Sequence, residues 1–240
     1  MTLLIRPPRA IQHHRTGRSR ARHRAPGRPP GELARDAAIR TVDILVSLSA
    51  LAVVGLLLAF LCLLVRSTSR GPGVFRQGRL GRRKRAFTLL KLRTMYTDND
   101  DSVHRDYVRA LLTRDRPPAG GDRGLFKLER DPRVTPLGRW LRKTSMDELP
   151  QLLNVLRGDM SLVGPRPVLA WEAELFSTAH QRRFEVKPGL TGLWQVSGRS
   201  RVSMADALDL DAEYVRRRSL PLNLRILLLT LPALFRGGAA

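Results

Sequence analysis

No charged residue interrupts the chain between Ile44 and Val65, ILVSLSALAVVGLLLAFLCLLV. As a helix rising about 1.5 Å per residue, this run reaches roughly 33 Å, enough to cross the hydrocarbon core of a bilayer. Globular helices of that length usually carry a polar face, and this one has none, which argues against a buried helix of a soluble fold. The flanks assign no direction. Arg35 and Arg40 precede the run and Arg66 and Arg70 follow it, so both ends carry the positive charge that favours the cytoplasmic side. Two geometries fit: a re-entrant helix with Gly55 as its bend, or a spanning helix that leaves one basic cluster outside.

Membrane residence accounts for only part of the chain. Its 43 Lys and Arg against 21 Asp and Glu leave a formal charge of +22, which calls for a polyanionic partner. Nucleic acid, an anionic membrane surface and a phosphorylated substrate all qualify. Residues 1–40 are rich in arginine and proline and contain no lysine; they cannot bury a core and read as a disordered tail. MTLLI precedes the arginines, the reverse of a secretory signal's order. The single cysteine, Cys62, excludes an internal disulfide and any multi-cysteine metal site, and its apolar surroundings make it a packing residue.

The expected organisation is therefore a tail over 1–40, a membrane-embedded helix over 41–68 and a cytosolic domain over 69–240. The fold class is mainly α with small β elements, α+β. VFRQ and AFTLLKLR read as strands of a hairpin around a turn rich in Gly and Arg. Tyr96 to Gly124 reads as helix followed by an exposed loop, Arg139 to Leu156 as two helical pieces, Trp171 to Phe184 as another, and Met204 to Arg218 as a polar helix. Ile226 to Phe235 is apolar, interrupted by Pro232 and too short to span, so it is expected at the membrane interface.

TSMDELPQ, Thr144 to Gln151, sets two carboxylates side by side in this basic chain. Ser145-x-x-Glu148 matches a helix capping box, although that register puts Pro150 fifth in the helix, where it is costly. With Asp147 as N-cap, Pro150 falls third and is tolerated. In either register the pair sits at a helix N-terminus, which keeps a carboxylate ionised and attracts phosphate, with Arg142 and Lys143 nearby. An ionised carboxylate can attack phosphorus while its neighbour helps bind a divalent ion. Capping and catalysis both fit this stretch.

GDMSLVGPRPV, Gly158 to Val168, holds Arg166 between two prolines, either a rigid phosphate clamp or a surface turn. KPGLTGLWQVSGRS, Lys187 to Ser200, supplies glycines for close backbone approach and ends near Arg199. Lys91 and Arg93 in KLRTM alternate with apolar residues and either face phosphate or are solvated. His104 and His180 are isolated and lack zinc spacing. DNDDS, from Asp98, lacks the glycine and glutamate of a calcium loop. No Walker or G-x-S-x-G pattern occurs, and no helix-turn-helix or RNA-stacking signature supports specific nucleic-acid binding.

Together, the membrane segment, GPGVFRQGRLG, KLRTM, DPRVTPLGRWLRKTSMDELPQLLNVLRGDMSLVGPRPV and KPGLTGLWQVSGR resemble the bacterial sugar transferase family, from about Asp43 to Phe235. These are the monotopic polyprenyl-phosphate phosphoglycosyl transferases. The resemblance implies transfer of a sugar phosphate from a nucleotide sugar, UDP-linked, to undecaprenyl phosphate, with Mg²⁺, on the cytoplasmic face of the plasma membrane. It implies Asp147 as nucleophile and Glu148 as its metal-assisting partner. Arg142 and Arg166 would bind phosphate, and Lys91 and Arg199 would line the site. The competing classes are a membrane-anchored basic protein that binds nucleic acid and a non-catalytic assembly factor. The chain departs from the family pattern in lacking the Ser-Pro pair that usually breaks the membrane segment, and its basic tail is longer than the smallest members need. Whether two copies form a homodimer is not legible.

Overall fold

The apolar run lies inside one continuous helix, α1 (Pro30–Thr68). The computed structural model describes residues 29–97, 102–114, 131–198 and 203–235. An antiparallel hairpin follows, β1 (Val74–Leu80) and β2 (Ala86–Leu92), then α2 (Ser102–Arg114), α3 (Pro136–Thr144) and α4 (Gln151–Arg157). Two short parallel strands, β3 (Ser161–Val163) and β4 (Gly189–Thr191), enclose α5 (Ala170–Glu174); α6 (Leu193–Ser197), α7 (Met204–Arg217) and α8 (Leu220–Phe235) complete the order. The expected mainly α architecture with small β elements is what forms.

α1 is apolar almost all round, yet one stripe of it is covered by the domain. Ile39, Asp43, Ser47, Leu61 and Val65 are buried, and Ala50, Leu51, Val54, Leu58 and Cys62 pack between them against two core clusters. Steps of three and four residues keep these side chains on one helix face. The helix continues unbroken through Gly55, the position at which the re-entrant alternative placed a bend. The helix also takes in residues 30–40, which composition assigns to a tail. Asp36 pairs with Arg218 and Arg82, and Arg40 donates to Val155 O at 2.5 Å and Leu156 O at 2.7 Å, capping the carbonyl end of α4. These partners lie far along the chain, where local composition cannot reveal them. The remainder of the expected tail, residues 1–28, falls outside the described residues.

The other end of α1 is held by Arg93. Sequence alternation offered this side chain to phosphate, but the strand ends at Leu92 and the guanidinium turns inward. It donates to five carbonyls: Pro72 at 2.7 Å, Arg70 at 2.7 Å, Ser69 at 2.8 Å, and Val65 and Gly71 at 3.3 Å. A helix C-terminus leaves carbonyls unpaired, and a planar cation with five N–H groups answers that need. Arg93 is thus a structural residue, only 5% exposed.

β3 and β4 approach so closely that a Cβ on Gly189 would lie 2.0 Å from Gly164 N. Only glycine permits that contact, and it fixes the loop after β3 against the end of β4. α8 starts at Leu220, six residues before the expected apolar segment, and includes Pro232. Its Ile226 is buried in the core, and its Thr230 hydroxyl lies 2.9 Å from that of Thr191 in β4. Its outer leucines, Leu224, Leu228, Leu229 and Leu231, are exposed, as are Leu45, Leu48, Val53, Leu56, Phe60 and Leu63 of the neighbouring α1. In the most apolar part of α1 only 11% of residues are buried. An exposed apolar surface of this extent marks a membrane face rather than a soluble core.

Candidate active site

The carboxylate pair stands at a sharp corner. α3 ends at Thr144, and Ser145 adopts the left-handed conformation, φ 57°, which is uncommon for a residue with a Cβ. Met146 to Glu148 then form a single 3₁₀ turn before α4. Neither capping register is adopted. The Ser145 side chain makes no cap bond, and the residue preceding α4 is Pro150, which has no capping group. The pair therefore precedes the helix in its own turn.

The two carboxylates face different surroundings. Asp147 is 8% exposed and lies beside Arg142: burial pulls this guanidinium below its ordinary range, while Asp147 and then Asp131 oppose that shift. Arg142 Nε also donates to Thr94 Oγ1 at 2.9 Å, and Arg133 pairs with Asp131 at 2.8 Å. Glu148 opens into a pocket and meets Lys91 of β2, Nζ to Oε1 at 3.0 Å. That pocket is also lined by Arg79, Gln151, Arg166 and Gln195. The fold thus brings Lys91, Glu148 and Arg166 together around one pocket, with Asp147 next to Glu148 in the turn and Arg142 of α3 near Asp147. Arg199 lies outside the described residues.

Arg79, Gln151 and Gln195 were missed by sequence reasoning. Arg79 sits on β1, donates to Gln77 Oε1 at 2.7 Å and Pro167 O at 3.3 Å, and faces Glu172 at 3.6 Å. Burial, with Arg166 as a like charge, brings its guanidinium down to about 10, against the pull of Glu172. It remains charged at neutral pH. Nothing in the local pattern separates it from Arg76; only the hairpin's placement over the loop after β3 does. Glu172, in the first turn of α5, accepts from Leu169 N at 2.7 Å.

Several cations around two carboxylates make this a candidate site with the chemistry to bind phosphate groups. Comparison with known proteins makes the class specific. Residues 34–237 match the family model described as bacterial sugar transferase, and the chain belongs to that family. It is 41% identical over 214 residues to the exopolysaccharide production protein ExoY of Rhizobium meliloti, covering 88% of this chain and 90% of that one. It is 40% identical over 203 residues to the galactosyl transferase CpsE of Streptococcus agalactiae, covering 84% of this chain. It is 38% identical over 201 residues to the undecaprenyl-phosphate galactose phosphotransferase of Salmonella typhimurium, again covering 84%. The chain spans 43% and 41% of the length of these last two relatives.

Proposed function

We propose that this protein transfers a sugar 1-phosphate from a UDP-sugar to undecaprenyl phosphate, through a phosphosugar carried on Asp147, and so starts a lipid-linked glycan. The observation that carries this reading is the turn that buries Asp147 against Arg142 while aiming Glu148 at Lys91 in a pocket shared with Arg166. The relatives' names support the lipid acceptor and the polysaccharide context.

In this reading Arg166, Lys91 and Arg79 receive the diphosphate, and Arg142 stands beside Asp147. An Asp147 oxygen attacks the phosphorus that bears the sugar; the new O–P bond forms as that phosphorus's bond to the bridging oxygen breaks, and uridine monophosphate leaves with the bridging oxygen. A phosphate oxygen of the lipid then attacks the same phosphorus and expels the Asp147 carboxylate, leaving the sugar diphosphate on the lipid. The released nucleotide is the direct test. Purified protein given a panel of UDP-sugars and undecaprenyl phosphate should release uridine monophosphate; release of the diphosphate would mean transfer of the sugar alone.

Mg²⁺ fits the same pair. A magnesium ion takes one or two protein carboxylates and completes its shell with water and substrate phosphate, and no cluster of three or more metal-binding side chains occurs among the described residues. Asp147 and Glu148 would hold it, and its charge would offset that building on the departing phosphate. Because the protein supplies few of the ligands, Mg²⁺ should bind more tightly when UDP is present, and Glu148→Gln should weaken that coupling. Calorimetric titration with and without UDP checks this; equal affinities would contradict a shared site.

The membrane arrangement follows from α1. Its two ends are bonded to one domain through Arg40 and Arg93, and its middle packs on the same core. A spanning helix would carry that domain across about 30 Å of hydrocarbon, so we assign α1 and α8 to one interface, on the cytoplasmic side by their basic flanks. In a Cys62→Ser background, single cysteines at the exposed Thr41 and Ser67 should both resist an impermeant thiol reagent on intact cells and react after permeabilisation. Labelling of either from outside would show a spanning helix.

A further inference from the structure

Pro165, Arg166 and Pro167 form a stretch with one backbone N–H, because proline has none. The loop around it is tied down at almost every polar group. Gly164 N donates to Thr191 O at 2.9 Å, Gly189 N to Pro165 O at 2.8 Å, Arg79 to Pro167 O at 3.3 Å, and Leu80 N to Val168 O at 2.9 Å. The carbonyl of Arg166 itself goes elsewhere, to a buried ion pair that plays no part in the chemistry described above.

That pair is Arg183, in the 3₁₀ turn His180–Glu185, with Asp211 on α7. Arg183 Nη2 lies 2.8 Å from Asp211 Oδ2 and donates at 2.8 Å to Arg166 O. Its guanidinium lies 5.0 Å from the centre of the Phe176 ring. On the other side, the Arg166 N–H is the backbone group that favours the charged form of Asp211. The side chains of the pair are 4% and 3% exposed, within reach of an apolar cluster that includes Phe176, Phe184 and Leu208.

This is a poor arrangement for stability alone. A buried ion pair often contributes no more than an apolar pair of similar volume. Asp211 Oδ1 has no hydrogen-bond partner, and burial drives its carboxyl up to about 6 despite Arg183. Polar groups so placed are commonly explained by what they orient. Here Arg183 holds the carbonyl of the one residue that the flanking prolines present to the pocket, and Asp211 holds Arg183.

We propose that Arg183 and Asp211 are positioning residues that set the direction of the Arg166 guanidinium, and so its hold on the diphosphate of the donor. The proposal rests on Arg166 being a phosphate-binding group, which is part of the function proposed above; it does not rest on the transfer step. A guanidinium displaced by an ångström loses most of its bidentate contact with phosphate. The pair links α7 and the 3₁₀ turn to the loop, so three separate segments define one side-chain direction.

A double-mutant cycle tests this on the full-length protein, with inorganic pyrophosphate as titrant and unfolding followed in parallel. Asp211→Asn should weaken pyrophosphate binding about tenfold when Arg166 is present. In an Arg166→Ala background the same change should cost less than about twofold, since no guanidinium remains to be placed. Equal losses in both backgrounds would overturn the proposal, because they would show that the pair supports the fold and not Arg166. Failure of the wild type to bind pyrophosphate would overturn it too. If Asp211→Asn folds poorly, the apolar replacement Arg183→Met with Asp211→Leu goes through the same cycle under the same criterion. Pyrophosphate coupling without any sugar-phosphate transfer would sink the transferase reading and leave the clamp standing; transfer accompanied by equal losses would do the reverse.

Discussion

Asp147→Asn should abolish transfer while leaving the protein folded. The amide keeps the shape of the side chain and can still accept a hydrogen bond, so the turn before α4 has no reason to change. It cannot attack phosphorus, and loss of a covalent nucleophile costs at least about a thousandfold in turnover. Arg142 would lose one of its two compensating carboxylates, but Asp131 remains, which should limit the cost in stability. Capping predicts the opposite pattern, since Asn caps a helix about as well as Asp. The check is turnover alongside thermal unfolding of the same preparation. Substantial turnover by Asp147→Asn would remove the residue from the chemistry, and collapse of the fold would show that its charge is structural.

Arg93→Met should have the largest effect on stability among the surface-remote substitutions. It removes the donor shared by five carbonyls at the end of α1. Buried polar groups left without partners cost about 1–3 kcal/mol each, and some of these carbonyls can reach water after a small movement, so a loss on the order of 3–5 kcal/mol is expected. Arg93→Lys should rescue little of it. A lysine keeps the charge but carries a compact ammonium with three donors, which cannot reproduce the planar fork. Denaturant titration in detergent compares the three proteins. Near-wild-type stability of Arg93→Lys would show that the charge at the helix end matters and the fork does not.

These two residues also mark where the sequence was readable and where it was not. The hairpin strands, the two helical pieces flanking Asp147 and the polar helix α7 follow from local alternation and periodicity, and they form close to where expected. Lys91, Glu148 and Arg166 were named together through the family resemblance and not from local pattern, and they line one pocket. Arg93 defeated the same logic because alternation describes a side chain only while the strand continues. The covered stripe of α1 was hidden by the excess of apolar residues around it. Asp43 and Ser47, four residues apart, were its only polar trace; Asp43 Oδ1 accepts from Ser161 Oγ at 3.0 Å and from Leu162 N at 2.9 Å. Arg79 and the Arg183–Asp211 pair act across chain separations that no local pattern encodes.

The central claim is that Asp147 carries the phosphosugar between donor and lipid. Purified protein is incubated with a UDP-sugar labelled in the phosphate next to the sugar, without lipid acceptor, and quenched in acid. The label should appear on the peptide containing Asp147, in step with released uridine monophosphate, and should leave as undecaprenyl diphosphate sugar when undecaprenyl phosphate is added. Label on a different residue, or uridine diphosphate as the released nucleotide, would contradict the account.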